Sequence, residues 1–419
     1  MTSTTWPPTG SHVHRPSAAR PGPTAPPPHR PPLDGRDPME PAPDGRRADP
    51  TREPTARPPV DEFVIGDPAG LAAAVPALLG FHPRDSLVLL SISGSGAGRR
   101  IGLTLRADLP PRSSPPGDLA ELGRAVVGML LRDSPRTAAV LVLAPGRGAD
   151  LPHRRLVDAM TEALRAHGIG LLSAVWAAST AEGAPWACYL PCGCSGALPD
   201  PGTTALAARA VLDGRVVHGS RDDVERTLEP VDPAAIRRRE LILTGEDRST
   251  GVLDAPPDDP RELMALVDAA IADAGDGALA LDDARAVELA AALATVSVRD
   301  GALQRCLGPA AGAAEQLWAA LVREVPDPEA AEPAVLLAAC ALLRGDGALA
   351  TMALGRAERA WPGHRLTGLL RVLAHAAAPP PEVREVLTAS VAEVPGPPRS
   401  VRRAGGGSAR SSTRRRPSC

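Results

Sequence analysis

The chain has 419 residues, 43% of them hydrophobic, and a formal net charge of −3, which allows two ordinary domains with terminal tails. It contains no lysine and no asparagine, which excludes P-loop, Schiff-base and kinase-type ATP lysines as well as N-glycosylation. Arginine, alanine, glycine and proline are all frequent, a bias that we attribute to GC-rich coding, so the arginines do not indicate nucleic-acid binding.

Residues 1–60 are rich in proline and arginine and have almost no apolar periodicity. Such a segment cannot bury enough surface to offset its ordering entropy, so we predict a disordered leader, or a start codon assigned too far upstream. Its proline pairs are compatible with a proline-reading partner domain. No signal peptide and no apolar run of ~18 residues is visible, and cysteines are few, so we predict a cytoplasmic protein without membrane association.

Folded sequence begins at Asp67, a good N-cap that precedes a proline at the first helical position. The spacing of apolar residues predicts a helix over 68–79, with Gly80 as its left-handed C-terminal cap. Residues 86–92 read as a buried strand. A glycine-rich loop follows at 94–98, and two interpretations are open, a phosphate cradle or a hairpin turn. Because 99–109 alternates like a strand rather than opening a helix, the hairpin is favoured.

The next segments alternate between helical and strand patterns. Helices are predicted at 117–132, 151–167 and 203–212, and strands at 137–144, 169–177, 186–190 and, in short form, 215–218. The run Ser220-Arg-Asp-Asp223 resembles a capping box, with Asp as the acidic partner, that opens a helix through Leu228. The run at 137–144 is continuously apolar, which is typical of a strand covered on both faces. The pattern predicts an α+β domain at 61–232, a mixed sheet with covering helices and some parallel neighbours.

Strand signals almost vanish beyond Asp232. Residues 233–394 predict an all-α domain with breaks near 251–259, 274–277, 300, 308 and 326–333, and 395–419 reads as a disordered basic tail. Two helices around the turn Gly345–Gly347 form a tetratricopeptide-like hairpin, ended by Pro362. A plain helical bundle is the alternative, because the spacing does not recur in register.

Two polar groups fall near strand ends of the predicted sheet. His82 and Asp85 lie on the turn before the first strand, where Asp85 could orient His82 as a base, or simply bond the amides of the turn. Arg106 and Asp108 share one face of the second strand, as an active-site pair or as an edge salt bridge. These four residues are the weak candidates for a catalytic or ligand site.

Three cysteines, Cys188, Cys192 and Cys194, share one loop after a strand. Thiolates are good zinc or iron–sulfur ligands, so a metal site is one alternative, with His218 as the nearest fourth ligand. A reactive thiol is the second alternative, and structural cysteines are the third. Because the C-x3-C-x-C spacing is not a standard zinc motif, no cofactor is predicted, although zinc stays open.

Several separated motifs resemble an actinobacterial family known as domain of unknown function 4192. The matching pieces keep their order from about 62 to 390 and include Asp67-Pro68, Leu78-Leu79-Gly80-Phe81, Asp85-Ser86-Leu87-Val88, Leu105-Arg106, Asp108-Leu109-Pro110, Trp186, Tyr189, Ser220-Arg221, Val298-Arg299-Asp300 and Leu343–Gly347. Members of that family often carry a cysteine pair near the tryptophan and tyrosine, whereas here Gly193 separates Cys192 from Cys194. The resemblance implies no catalytic residues.

The residues together favour a non-enzymatic interaction or regulatory protein. No lipase-type elbow, zincin motif, EF-hand loop or Walker motif is present, and the helical hairpin indicates another protein as partner. The rival hypothesis is an enzyme or small-ligand binder in the sheet domain. It predicts that His82, Asp85, Arg106 and Asp108 converge on one pocket.

Overall fold

Capping residues set both ends of the first helix, α1 (Pro68–Leu79). The Asp67 carboxylate accepts the Gly70 N–H at 2.6 Å, and Gly80 takes the left-handed conformation with φ of 77°. The helix continues through Pro76.

The structure is a computed structural model that describes residues 67–94, 99–146, 151–212, 214–246 and 259–392. The predicted leader and tail lie outside these ranges.

Six strands form one sheet in the order β2-β1-β3-β4-β5-β6. The strands are β1 (Ser86–Ser93), β2 (Arg100–Asp108), β3 (Thr137–Leu143), β4 (Gly170–Ala177), β5 (Pro185–Cys188) and β6 (Ser195–Ala197). Only the β3–β4 pair is parallel, because α3 connects these two strands. The predicted mixed sheet is confirmed, but β6 lies in what was predicted to be a loop.

Fourteen α-helices occur in the described ranges, five in the first half and nine after residue 232. After α1, the first half contains α2 (Pro116–Leu130), α3 (Arg154–Ala166), α4 (Ala205–Leu212) and α5 (Arg221–Arg226). The helical region contains α6 (Pro233–Leu243), α7 (Pro260–Gly275), α8 (Asp283–Leu293), α9 (Val296–Leu307), α10 (Ala311–Leu321), α11 (Ala331–Leu343), α12 (Gly347–Ala360), α13 (Arg365–His375) and α14 (Pro380–Ala392).

Two details of the predicted pattern are wrong. The break expected at Asp300 lies earlier, because α9 begins at Val296 and runs through Asp300 with Val298 buried. The short strand expected at 215–218 is a single bridge between His218 and Phe81.

The sheet is covered on both faces, because alternate residues of its central strands enter different apolar clusters. Leu87 and Leu89 pack in the cluster that contains α2 and α3. Val88 and Leu90 belong to the other cluster, which contains α1 and continues into the helices after residue 260. The sheet and the helical region therefore share a continuous apolar core, while the predicted domain boundary near 232 stays a prediction.

Candidate functional site

One edge of the sheet gathers the ends of four strands. Ser86 at the start of β1 pairs with Asp108 at the end of β2 and with Leu143 at the end of β3, and Leu143 in turn pairs with Ala177 at the end of β4. The carboxyl ends of parallel strands are where open α/β sheets commonly bind their ligands. Polar residues at these strand ends are therefore the leading candidates for a ligand site.

A cavity of about 640 Å³ opens at this edge. Its sheet side is lined by Phe81, His82, Arg84, Arg106 and Asp108. Its other wall is formed by Gly219–Asp223, Glu225 and Arg226, which belong to α5 and the residues before it. The volume lies within the usual range of small-molecule sites.

Backbone pairing holds the α5 segment over the edge of the sheet. The His218 N–H donates to the Gly80 carbonyl at 2.8 Å, and the His82 N–H donates to the His218 carbonyl at 3.0 Å. This is possible because Gly80 ends α1 in the left-handed conformation and turns the chain into Phe81 and His82. The residues before α5 therefore lie against the turn that follows α1, although the two segments are far apart in the chain.

Arg106 makes two side-chain contacts at the cavity. Its Nε donates to Ser86 Oγ at 2.9 Å, and its Nη2 lies 2.6 Å from Asp108 Oδ1. Ser86 is fully buried, and its hydroxyl donates to the Arg84 carbonyl at 2.6 Å. The edge salt bridge predicted for Arg106 and Asp108 is confirmed, and together with the bond to Ser86 it occupies Nε and Nη2 of the guanidinium.

The α5 wall carries its own ion pairs. The Ser220 hydroxyl accepts the Asp223 N–H at 3.1 Å and donates to the Asp223 carboxylate at 2.9 Å, which confirms the predicted capping box. Asp223 also pairs with Arg226, and Arg221 lies 3.3 Å from Glu225. The bond from Ser220 is the main reason why the pKa of Asp223 is lowered.

His82 forms a different contact from the one the sequence indicated. Its Nδ1 lies 2.8 Å from Oγ1 of Thr180, a buried residue in the loop between β4 and β5. Partial burial lowers the pKa of His82, so the imidazole is mainly neutral at pH 7.

Of the four candidate residues, three come together. His82, Arg106 and Asp108 line the cavity, whereas Asp85 does not. The alternative in which Asp85 orients His82 is not found among the described contacts: His82 Nδ1 lies beside Thr180, and the Asp85 carbonyl accepts the Leu109 N–H at 3.0 Å. Sequence reasoning missed that the segment 219–226 forms a wall of the site. Its only local signal was the capping box, which indicates a helix but not its position.

The three loop cysteines lie in a hairpin that joins β5 to β6. The Cys188 N–H donates to the Cys194 carbonyl at 2.9 Å, and the Cys194 N–H points to Cys192 Sγ at 3.4 Å. Cys188 is buried, and Cys192 and Cys194 are exposed. Within the described ranges, no three His, Cys, Asp or Glu side chains are arranged to hold a metal ion. The backbone of His218, the nearest candidate for a fourth ligand, pairs with Gly80 at the end of α1 and with His82.

Comparison with known proteins gives one match. A family model described as a domain of unknown function (DUF4192) matches residues 68–381, which include the sheet edge, the cysteine hairpin and most of the helical region. No curated protein and no solved structure matches the chain. None of the helices in the part that the structure describes is long and apolar enough to cross a membrane.

Proposed function

The chain belongs to the DUF4192 family, and because that family's description assigns no activity, we propose a function from the cavity itself: binding of a small molecule with a carboxylate or phosphate group. The observation that carries this proposal is the convergence of four arginines on one cavity: Arg84, Arg106, Arg221 and Arg226. A guanidinium has five N–H donors, and their planar fork matches carboxylate and phosphate oxygens.

The arginines keep donors to spare although acidic residues lie beside them. Arg106 uses Nε for Ser86 and Nη2 for Asp108, which leaves Nη1 free among the described contacts. Within the same described residues, no ion pair or hydrogen bond involves the guanidinium of Arg84, whose carbonyl alone accepts a bond from Ser86. These two arginines lie on the sheet side of the cavity, so we assign them the acidic group of the ligand.

We propose binding without catalysis, because three of the four cavity carboxylates, all except Asp222, already have ion-pair partners. Asp108 is held by Arg106, Glu225 by Arg221, and Asp223 by Arg226 and Ser220. A general base works best with a pKa near the operating pH, and the lowered pKa of Asp223 moves it away from that value. His82 is held by Thr180 rather than by a carboxylate that would orient it as a base.

The test is calorimetric titration of the full chain with inorganic phosphate and with succinate, beside neutral glycerol. We expect phosphate or succinate to bind and glycerol not to bind. Arg106→Gln removes charge-assisted hydrogen bonds worth about 1.5–3 kcal/mol, so we expect a loss of affinity of at least about tenfold. Whichever of the two acids binds more tightly identifies the class of the acidic group.

The matched control is Arg165→Gln. Arg165 is an exposed arginine on α3 that pairs with Glu162 and does not line the cavity. Its replacement should leave binding of the acids unchanged. Absence of binding by both acids, or equal loss in the Arg106 and Arg165 variants, would contradict the proposed function.

The helical hairpin gives less support to a protein partner. Helices α11 and α12 flank the turn at Gly345 as predicted, and Asp346 caps α12 by accepting the Leu349 N–H at 2.9 Å. However, every residue of α11 from Ala331 to Leu342 is buried within the chain itself. Because no face of that part of α11 is open, the tetratricopeptide-like assignment and the protein partner stay predictions, to be tested by pull-down with the full chain.

A further inference from the structure

The hairpin between β5 and β6 brings three thiols together at the far end of β5 from the ligand cavity. β5 ends at Cys188 and β6 begins at Ser195, so the hairpin connection contains Cys192, Gly193 and Cys194. Gly193 has φ of 67°, a conformation that a residue with a side chain rarely adopts. The turn at Gly193 lets the Cys194 N–H approach Cys192 Sγ at 3.4 Å.

The three thiols have different environments. Cys192 and Cys194 are exposed to solvent, whereas Cys188 is buried at the base of the hairpin. Hydrogen bonds from Cys194 and from the Cys188 thiol lower the pKa of Cys192, and the pKa values of Cys188 and Cys194 are raised. An exposed thiol that stabilises its thiolate, beside a second thiol, is the usual arrangement of an oxidation-sensitive cysteine.

We propose that Cys192 is the reactive thiol of a reversible oxidation site that takes hydrogen peroxide, with Cys194 as the thiol that closes the disulfide. Cys194 is chosen over Cys188 because it is exposed and because its own N–H holds the Cys192 sulfur beside it. This inference does not depend on the proposed ligand cavity.

The chemistry balances with peroxide as the oxidant. The Cys192 thiolate attacks one peroxide oxygen, the O–O bond breaks, and the leaving hydroxide takes a proton, which gives Cys192 sulfenic acid and water. The Cys194 thiolate then attacks the Cys192 sulfur, the S–O bond breaks, and a second water leaves with the proton from Cys194. Two thiols have lost two electrons, which reduce one peroxide to two waters, and a dithiol reductant reverses the change.

The experiment treats the full chain with hydrogen peroxide and maps disulfides and free thiols by peptide mass spectrometry. All samples carry Cys419→Ser, because Cys419 lies outside the described residues. We expect a Cys192–Cys194 disulfide that dithiothreitol removes. Cys194→Ser should instead accumulate sulfenic acid at Cys192, trapped by dimedone, and Cys188→Ser should still form the Cys192–Cys194 disulfide.

The chain contains matched controls for this experiment. Cys306 and Cys340 are buried in the helical region, with 1% and 4% of their surface exposed. They should stay reduced under conditions that oxidise Cys192. Equal oxidation of these buried thiols, or a Cys188–Cys192 disulfide in place of the expected one, would overturn the proposal. Stoichiometric zinc released from the hairpin of the untreated protein would overturn it as well.

Discussion

Charged side chains occupy different settings at the sheet edge and inside the helical region. At the edge, Arg84 and Arg106 border a cavity of about 640 Å³ that can admit a ligand. In the helical region, Arg239 is 96% removed from solvent, and its Nε donates to Asp283 at 2.9 Å while Nη1 bonds Glu324. The same residue type therefore joins helices in one region and lines an open cavity in the other, where we propose that it binds a ligand.

The two regions also differ in how completely their elements are covered by apolar side chains. The central strands bury alternate side chains in two apolar clusters, one on each face of the sheet. The polar side chains on the sheet side of the cavity lie beyond these clusters, at the ends of the strands. Helix α11 is surrounded by its own chain along nearly its whole length. The proposed ligand cavity therefore lies at the polar strand ends, whereas α11 lies inside the apolar core.

The largest effect should come from the core of the helical region. Trp318 on α10 is fully buried, and Trp318→Ala leaves a cavity, so we expect a loss of about 3–5 kcal/mol in the free energy of unfolding. Chemical denaturation of both proteins measures it. The matched control is Trp361→Ala, since Trp361 is 48% exposed and should cost about 1 kcal/mol or less. Equal losses would show that the helical core is not packed as described.

A buried arginine should have the next largest effect. Arg239→Ala leaves Asp283 and Glu324 without their buried partner. These carboxylates are 32% and 24% exposed, so we expect a loss of about 2 kcal/mol, below the 3–5 kcal/mol of a fully buried pair. The neighbouring Arg238 bonds the same Asp283 at 2.8 Å but is 54% exposed, so Arg238→Ala should cost less than about 1 kcal/mol. A larger loss for Arg238 than for Arg239 would contradict the comparison.

The smallest effect should be a pH dependence at the sheet edge. Burial holds the folded-state pKa of His82 below its ordinary value of 6.5, so the unfolded chain takes up the proton first as the pH falls. The contribution of neutral His82 to the free energy of unfolding is therefore complete above pH 6.5. It is lost as the pH falls from 6.5 through the lower pKa of the folded state. In His82→Gln this part of the acid dependence should disappear.

Unfolding midpoints measured across this pH window test the prediction for His82. The exposed His167 at the end of α3 provides the control. His167→Gln should keep the acid dependence of the parent protein. If the two histidine variants show the same curve, His82 is not the titrating group.

The sequence anticipated elements whose signals are local. Asp67 and Gly80 mark the ends of α1, the Ser220–Asp223 box marks the start of α5, and the apolar run at 137–144 marks a doubly covered strand. Each of these rests on contacts within a few residues, so composition and spacing are sufficient to predict them. The sequence did not predict β6, because its three residues, Ser195–Ala197, are small, exposed and without strand propensity.

The cavity required information that no local pattern contains. Its walls, Phe81–Asp108 and Gly219–Arg226, are separated by more than a hundred residues and meet through the pairing of His218 with Gly80 and His82. The cysteine hairpin likewise owes its arrangement to β6, which the sequence did not reveal.

The sequence by itself determined the kinds of element, their order and the polar side chains available, because helix caps and apolar periodicity act over a few residues. Only the tertiary structure decided that His82, Arg106 and Asp108 line one cavity while Asp85 does not, and that Cys192 lies beside Cys194 on a solvent-exposed turn. These placements follow from long-range backbone pairing, whose partners depend on how the whole core packs.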